Sequence, residues 1–311
     1  MGTDSYRNKK IGRAFKIIRA HKIVNNALKA SELILNPDGS IYHLNLLPED
    51  IAPTIFLVGD QNRVPEISKH FDFIELKKSN REFIAHTGYI GDKRLTVLST
   101  GIGSDNIDIV LNELDALVNI DFGLREIKAE KQSLQLIRIG TSGSLQNDIE
   151  INSILVSEYG LGLDHLLHFY ALEHDIVIEK KIKEHLDLPF IDPYFVKASD
   201  PLLNLFSKHF RTGITASCPG FYAPQGRMLR GQTVSTQLIG KLNTLIIHQQ
   251  VITNFEMETA SIYGMAKVLG HQAISVNCIL ANRISNQFST NPQAVIHKAI
   301  QEVIDVYLNQ K

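Results

Sequence analysis

The sequence predicts an α/β fold: a single domain with a central mixed β-sheet flanked by helices. Short apolar runs of strand length alternate with stretches of helical periodicity. The chain has 311 residues, 44% apolar and 21% charged, which suffices for one large core. Glycine and charged residues also gather where the apolar runs stop, and ligands of open α/β sheets bind at the carboxyl ends of strands.

Residues 1–35 stand apart. From Arg7 to Ala30 the chain carries many Lys and Arg and no acid, with Ile11, Phe15 and Ile18 at helical spacing. That pattern is open to reading as an amphipathic transit segment. It is taken here as an N-terminal extension without fixed structure, ahead of a domain over 36–311.

Within the domain the first strand is Thr54–Val58, ending in Gly59-Asp60-Gln61-Asn62-Arg63-Val64. Arg94–Ser99 follows and ends in Thr100-Gly101-Ile102-Gly103; a helical pattern then covers Ile107–Val118. Leu134–Ile139 ends in Gly140-Thr141-Ser142-Gly143. Ile154–Ser157 and Thr212–Ala216 are further apolar runs, and Ala273–Leu280 ends in Ala281-Asn282-Arg283. A helical pattern spans Phe255–Leu269 and stops at Gly270. The last helix, Gln293–Leu308, puts Val295, Ala299, Val303 and Tyr307 on one face. Glycine lets backbone N–H groups approach an anion and arginine supplies charge. Several strand ends carrying both predict an anion-binding active site.

A formal charge of -1 and a pI near 6.9 argue against nucleic-acid or membrane-surface partners. No apolar run reaches bilayer-spanning length. Cys218 and Cys278 form no CxxC pair and no His/Cys cluster, so neither a disulfide framework nor a zinc site is expected. A reducing, cytoplasmic setting fits.

Several familiar motifs fail. Gly101-Ile102-Gly103 begins like a dinucleotide fingerprint, but Asn106 stands at the third glycine position. No phosphate-binding P-loop occurs. Gly140-Thr141-Ser142-Gly143-Ser144 nearly matches a nucleophile elbow, with the final glycine displaced. His165 and His168 lack the companions of a metal site.

The segment Asn254-Phe255-Glu256-Met257-Glu258-Thr259-Ala260 is the most informative. Residues two apart share a side of extended chain and not of a helix. Glu256 and Glu258 are therefore expected in extended chain at the mouth of the helix, aimed at one ligand, with Met257 as a soft apolar contact. Two acceptors and an apolar plate suit a sugar carrying a base. Two glutamates also favour a helix N-terminus electrostatically, and the segment alone does not choose.

Taken in order, the motifs resemble nucleoside phosphorylases of the uridine phosphorylase type. They are Gly59-Asp60-x-x-Arg63-Val64, Thr100-Gly101-Ile102-Gly103, Arg138-Ile139-Gly140-Thr141-Ser142-Gly143, Phe221-Tyr222-x-x-Gln225-x-Arg227, Phe255-Glu256-Met257-Glu258 and Asn282-Arg283. Tyr42-His43-Leu44-Asn45-Leu46 resembles the family's N-terminal histidine segment, so the likeness runs from about His43 to the C-terminus.

The resemblance implies a nucleoside phosphorylase-like fold and a pentosyltransferase acting on a pyrimidine nucleoside and inorganic phosphate, with no organic cofactor. It implies phosphate binding by Gly59, Arg63, Arg138 and Thr141, with Arg81 supplied by a neighbouring subunit. Guanidinium forks suit phosphate better than ammonium does. Ribose falls to Met257 and Glu258, with Glu256 in support and His43 reaching across a dimer. Gln225 and Arg227 read the base, Phe221 stacks on it and Arg283 closes the pocket. A monovalent-cation (potassium) site would map to Glu82, Ile102 and Asn106. Cross-subunit residues imply a homo-oligomer with a dimer as the minimal unit and a hexamer as the family's larger assembly.

The departures are local. Gln61 replaces a usual proline, Ala223-Pro224 replaces Pro-Gly, and Asn106 replaces a serine. They put fine substrate preference and cation binding in doubt more than the reaction. Purine phosphorylases of the fold carry an aspartate after the last strand, and Ser275–Arg283 contains no acid. Nucleosidases use water and need no phosphate arginines. A noncatalytic nucleoside-binding protein would have little reason to keep them.

Overall fold

The computed structural model describes residues 27–310. Among the described residues, ten strands of four residues or more and seven α-helices organise the body. The strands are β1 (Thr54–Val58), β2 (Phe73–Asn80), β3 (Phe83–Ile90), β4 (Lys93–Ser99), β5 (Gln135–Ser144), β6 (Ile154–Gly162), β7 (Tyr194–Lys197), β8 (Arg211–Ser217), β9 (Gln250–Glu256) and β10 (Gln272–Asn282). The helices are α1 (Arg63–Ser68), α2 (Ser104–Asn119), α3 (Ile176–Leu186), α4 (Asp200–Phe206), α5 (Leu238–Thr244), α6 (Thr259–Leu269) and α7 (Pro292–Leu308). The expected α/β class with a mixed central sheet is what the chain forms.

The sheet runs β9-β8-β6-β10-β5-β1-β4-β3-β2. β1 pairs in parallel with β4 and β5, and β10 pairs in parallel with β5. The β2–β3–β4 edge is an antiparallel meander, and β6 meets β10 antiparallel. One pairing changes the shape. β9 also binds β5 antiparallel, Asn254 opposite Ser144 and Phe255 opposite Gly143. The strands β5, β10, β6, β8 and β9 therefore close into a ring, while β1 to β4 extend from it as an open sheet.

That closure explains where the sequence expectations need correction. Gly140–Gly143 is not a loop after a strand, because β5 continues to Ser144 and its last residues pair with β9. The helix expected from Phe255 begins at Thr259, because Phe255 and Glu256 finish β9. The hairpin of β2 and β3 was not foreseen. β2 alternates exposed and half-buried positions through Glu75, Lys77 and Lys78, which leaves it no apolar run.

The main core lies between the sheet and its helices, with Phe56, Leu57, Ile137, Ile274 and Val303 fully buried. A second core under α3 and α5 joins Leu161, Ile182, Phe195, Ile214 and Leu242. Of the expected N-terminal extension, residues 27–35 are described. Arg125 donates to the Leu28, Lys29 and Leu33 carbonyls and Leu33 is buried, so this stretch is tied to the body. The remainder lies outside the described residues.

Candidate active site

A cavity of about 370 Å3 opens where the strand ends converge. Gly59, Asp60 and Arg63 reach it from the end of β1 and the start of α1, and Ile102 from the β4–α2 turn. Arg138, Thr141, Ser142 and Gly143 come from β5, and Leu280 and Ala281 from β10. Glu256, Met257 and Glu258 line it from the β9–α6 junction, and Phe221, Gln225 and Arg227 from the loop after β8.

At one end the centre is Arg138, which is buried. One guanidinium nitrogen, Nη2, lies 2.6 Å from Glu258 Oε2 and 3.0 Å from Glu256 Oε2. The other, Nη1, donates to Asn277 Oδ1 at 2.9 Å and to Ser275 Oγ at 3.3 Å. Burial alone would lower its pKa, but the carboxylates of Glu256 and Glu258 more than offset that and hold it above its usual value. The side chain folds back over Gly140. A Cβ there would sit 1.8 Å from Nη1, so only glycine leaves room for the guanidinium. Arg63 is the second cation, its pKa lowered by burial and by the nearby charge of Arg138.

The two glutamates divide as their surroundings dictate. Glu256 is saturated by protein donors: Ser217 Oγ at 2.6 Å and the backbone N–H groups of Glu258 and Thr259 at 2.9 to 3.0 Å. It thereby anchors the start of α6, where helix N–H groups lack internal partners. Glu258 accepts from Arg138 and, through Oε1, from the Gly103 N–H at 2.8 Å. Gly103 has φ +95, which presents its N–H at the head of α2. Burial raises the pKa of Glu258, and Glu256 adds to the rise while Arg138 counters it.

The other end is built from a loop. Phe221 is 50% exposed, and the Arg227 guanidinium carbon stands 3.7 Å from its ring centroid. Arg227 Nη1 donates to Gln225 Oε1 at 2.6 Å and to the Phe221 carbonyl at 2.7 Å. Gln225 is buried, and Arg283 Nη1 donates to its carbonyl at 3.1 Å. Arg283 thus stands behind the loop and does not line the cavity. Burial and the charge of Arg283 push the Arg227 pKa down to about 10, and burial lowers that of Arg283.

Besides Arg283, the expected residues Arg81 and His43 lie outside the cavity. Arg81 is exposed at the β2–β3 tip with φ 55, its guanidinium carbon 5.6 Å from the Tyr42 ring centroid. His43 Nδ1 lies 2.6 Å from Glu113 Oε1 on α2, and Asn80 Nδ2 donates to its carbonyl at 2.8 Å. Arg81, Tyr42 and His43 therefore form one surface patch. Of the expected cation ligands, Ile102 lines the cavity and Glu82 is exposed. Asn106 Nδ2 donates to the Ile102 carbonyl at 3.3 Å.

Sequence reasoning missed Gly140, Ser275, Asn277 and Gly103 as supports of the arginine and the glutamates, and Glu113 as the partner of His43. Gly103 and Gly140 stood in the strand-end motifs but were read as anion contacts, and the signal for Ser275 and Asn277 was polar residues inside an apolar run.

The family model described as Phosphorylase superfamily matches residues 53–308. The chain belongs to the phosphorylase superfamily. It is 31% identical to a uridine phosphorylase of Thermococcus kodakarensis over 81% of this chain and 80% of that one. A uridine phosphorylase of Haemophilus influenzae is 27% identical, over 86% and 96% of the respective chains. A Trypanosoma brucei nucleoside phosphorylase, whose crystal structure is described as showing uridine phosphorylase activity, superposes with a TM-score of 0.82. It is 25% identical, over 89% of this chain and all of that one.

Proposed function

We propose that this enzyme catalyses reversible phosphorolysis of uridine, giving uracil and ribose 1-phosphate. One observation carries the reading: a single cavity holds Arg63 and Arg138 at one end, an amide–guanidinium pair at the other, and a buried carboxylate paired with Arg138. Phosphate is the co-substrate, as in the superfamily, and no organic cofactor is needed.

In this reading phosphate lies against Arg63, Arg138, Thr141 and the Gly59 backbone, with its charge matched by the two guanidinium groups. A phosphate oxygen forms the bond to the anomeric carbon as the bond from that carbon to the base nitrogen breaks. The bonding pair leaves with the uracil, which carries the negative charge until it is protonated. Arg227 stabilises that charge, and Gln225 turns its amide from Arg227 to the base edge, meeting a carbonyl and the N–H together. Glu258 accepts from the ribose hydroxyls beside Met257, and Phe221 stacks on the base. Glu256, saturated by its own donors, holds Glu258 in place.

We further propose that the Arg81–His43 patch serves the cavity of a second copy, making a dimer the smallest active unit. Mixing an Arg81→Ala chain with an Arg227→Ala chain tests this. Mixed dimers then hold one intact site, and activity returns on mixing only if Arg81 crosses the interface.

The decisive assay is release of base from uridine, inosine and adenosine with and without phosphate. Phosphate-dependent release from uridine is expected. Cleavage without phosphate would sink the phosphorylase reading, and preference for inosine would sink the pyrimidine one.

A further inference from the structure

Behind the cavity wall a hydrogen-bond chain runs through the interior of the strand ring. It starts at Arg138 Nη1, which donates to Asn277 Oδ1 at 2.9 Å. Asn277 Nδ2 donates to Ser157 Oγ at 2.9 Å, and Ser157 Oγ lies 2.6 Å from Thr215 Oγ1. Thr215 donates to Asn254 Oδ1 at 2.9 Å, and Asn254 Nδ2 donates to Ser142 Oγ at 2.9 Å. Asn277, Ser157, Thr215 and Asn254 are at most 1% exposed, and Ser142 lines the cavity.

The chain has a fixed polarity, set at its first member. A guanidinium has donors and no acceptor. Asn277 must therefore turn its oxygen to Arg138 and its amide nitrogen to Ser157. Ser157, already accepting, gives its proton to Thr215, and Thr215 gives its own to Asn254. Asn254 then points its nitrogen at Ser142. Every donor faces away from Arg138. Ser142 accepts from Asn254 and has no protein acceptor for its own proton among the described residues, so the proton is free for the cavity. Next along the strand, a Cβ on Gly143 would lie 3.2 Å from Phe255, whose ring centroid is 5.8 Å from the Arg227 guanidinium carbon, which places this stretch of β5 at the base end.

We propose that Asn277, Ser157, Thr215 and Asn254 are positioning residues that fix Ser142 as a hydrogen-bond donor to the nucleoside. The inference rests on the phosphorolysis reading above, because it needs a nucleoside beside Ser142 and a charged Arg138 at the head of the chain. A buried network with every member satisfied is rigid, and breaking one link loosens the members beyond it. Asn254 Oδ1 also lies 2.8 Å from Thr253 Oγ1, but that hydroxyl has one proton and the Ile214 carbonyl at 2.9 Å competes for it, so Thr253 does not replace the Thr215 link.

The test is steady-state kinetics of uridine phosphorolysis with each substrate varied. Ser142→Ala should raise KM for uridine roughly three- to tenfold, the value of one hydrogen bond, with KM for phosphate unchanged. Thr215→Val touches no ligand and should give the same split, Thr215→Ser should restore uridine KM, and Thr215→Val with Ser142→Ala should be no worse than Ser142→Ala alone. A Thr215→Val enzyme with wild-type KM for uridine would overturn the proposal, as would additive effects in the double variant. If Thr215→Val does not fold, Ser142→Ala decides alone, and an unchanged uridine KM refutes the donor role. A wild-type chain that releases no base from uridine instead removes the phosphorolysis reading itself.

Discussion

The two ends of the cavity are held by opposite means. At the Arg138 end the charge is buried inside the strand ring, clamped by two carboxylates and two side-chain acceptors, and packed over a glycine. At the Arg227 end the guanidinium lies on a half-exposed phenylalanine and holds on to its own loop. In the first arrangement the cavity wall is part of the core, so changes there are expected to touch function and stability together. In the second the wall is a loop bound to itself, so on the proposed reading function separates from stability.

Arg138→Ala should break the comparison most sharply if it is wrong. Removing one partner of a buried pair leaves Glu256 and Glu258 uncompensated, at a cost of roughly 3–5 kcal/mol. Activity and the urea midpoint should both collapse, and a variant with normal stability would show that the clamp is not structural. Gly140→Ala should come next. Its Cβ meets the guanidinium, and overpacking of this kind costs roughly 1–3 kcal/mol. KM for phosphate should rise together with a lowered thermal midpoint.

At the other end Arg227→Ala should lower kcat/KM for uridine by roughly 100- to 1,000-fold, as loss of one charge-stabilising donor does. Its unfolding free energy from urea titration should change by about 0.5 kcal/mol or less, the range of surface substitutions. A large stability loss there would erase the distinction between the two ends.

The smallest effect is expected in pH dependence. The folded-state pKa of Glu258 is raised, so as pH falls it takes up a proton before an ordinary carboxylate does. Activity should then decline on the acid side above the usual glutamate range of about 4.3. Because the folded chain binds that proton before the unfolded chain, this group contributes no loss of stability over the same window. A kcat/KM profile measured beside a circular-dichroism melt should show inactivation without unfolding. Glu258→Gln should remove that acid limb.

The contrast also governs what could be read from the chain. The β1, β4, β5 and β10 ends were legible because glycine and arginine interrupt apolar runs there, and the four ends do meet at one cavity. The loop after β8 was legible only as a local motif, Phe221 to Arg227. What the sequence hid is pairing at a distance. Nothing local says that Asn254 will lie opposite Ser144, that Asn277 will face Arg138, or that Glu113 will hold His43. The β2–β3 hairpin was hidden for another reason: its charges alternate with half-buried residues and blur the apolar signal.

Helix α2 has one contact of interest at its head and another past its middle. Its head is fixed through the Gly103 N–H to Glu258, and three turns on Glu113 grips the ring and backbone of His43. A helix is a stiff rod, and the span from Ser104 to Glu113 is about 14 Å at 1.5 Å per residue. α2 therefore joins the cavity carboxylate of Glu258 and the His43 segment through one stiff element.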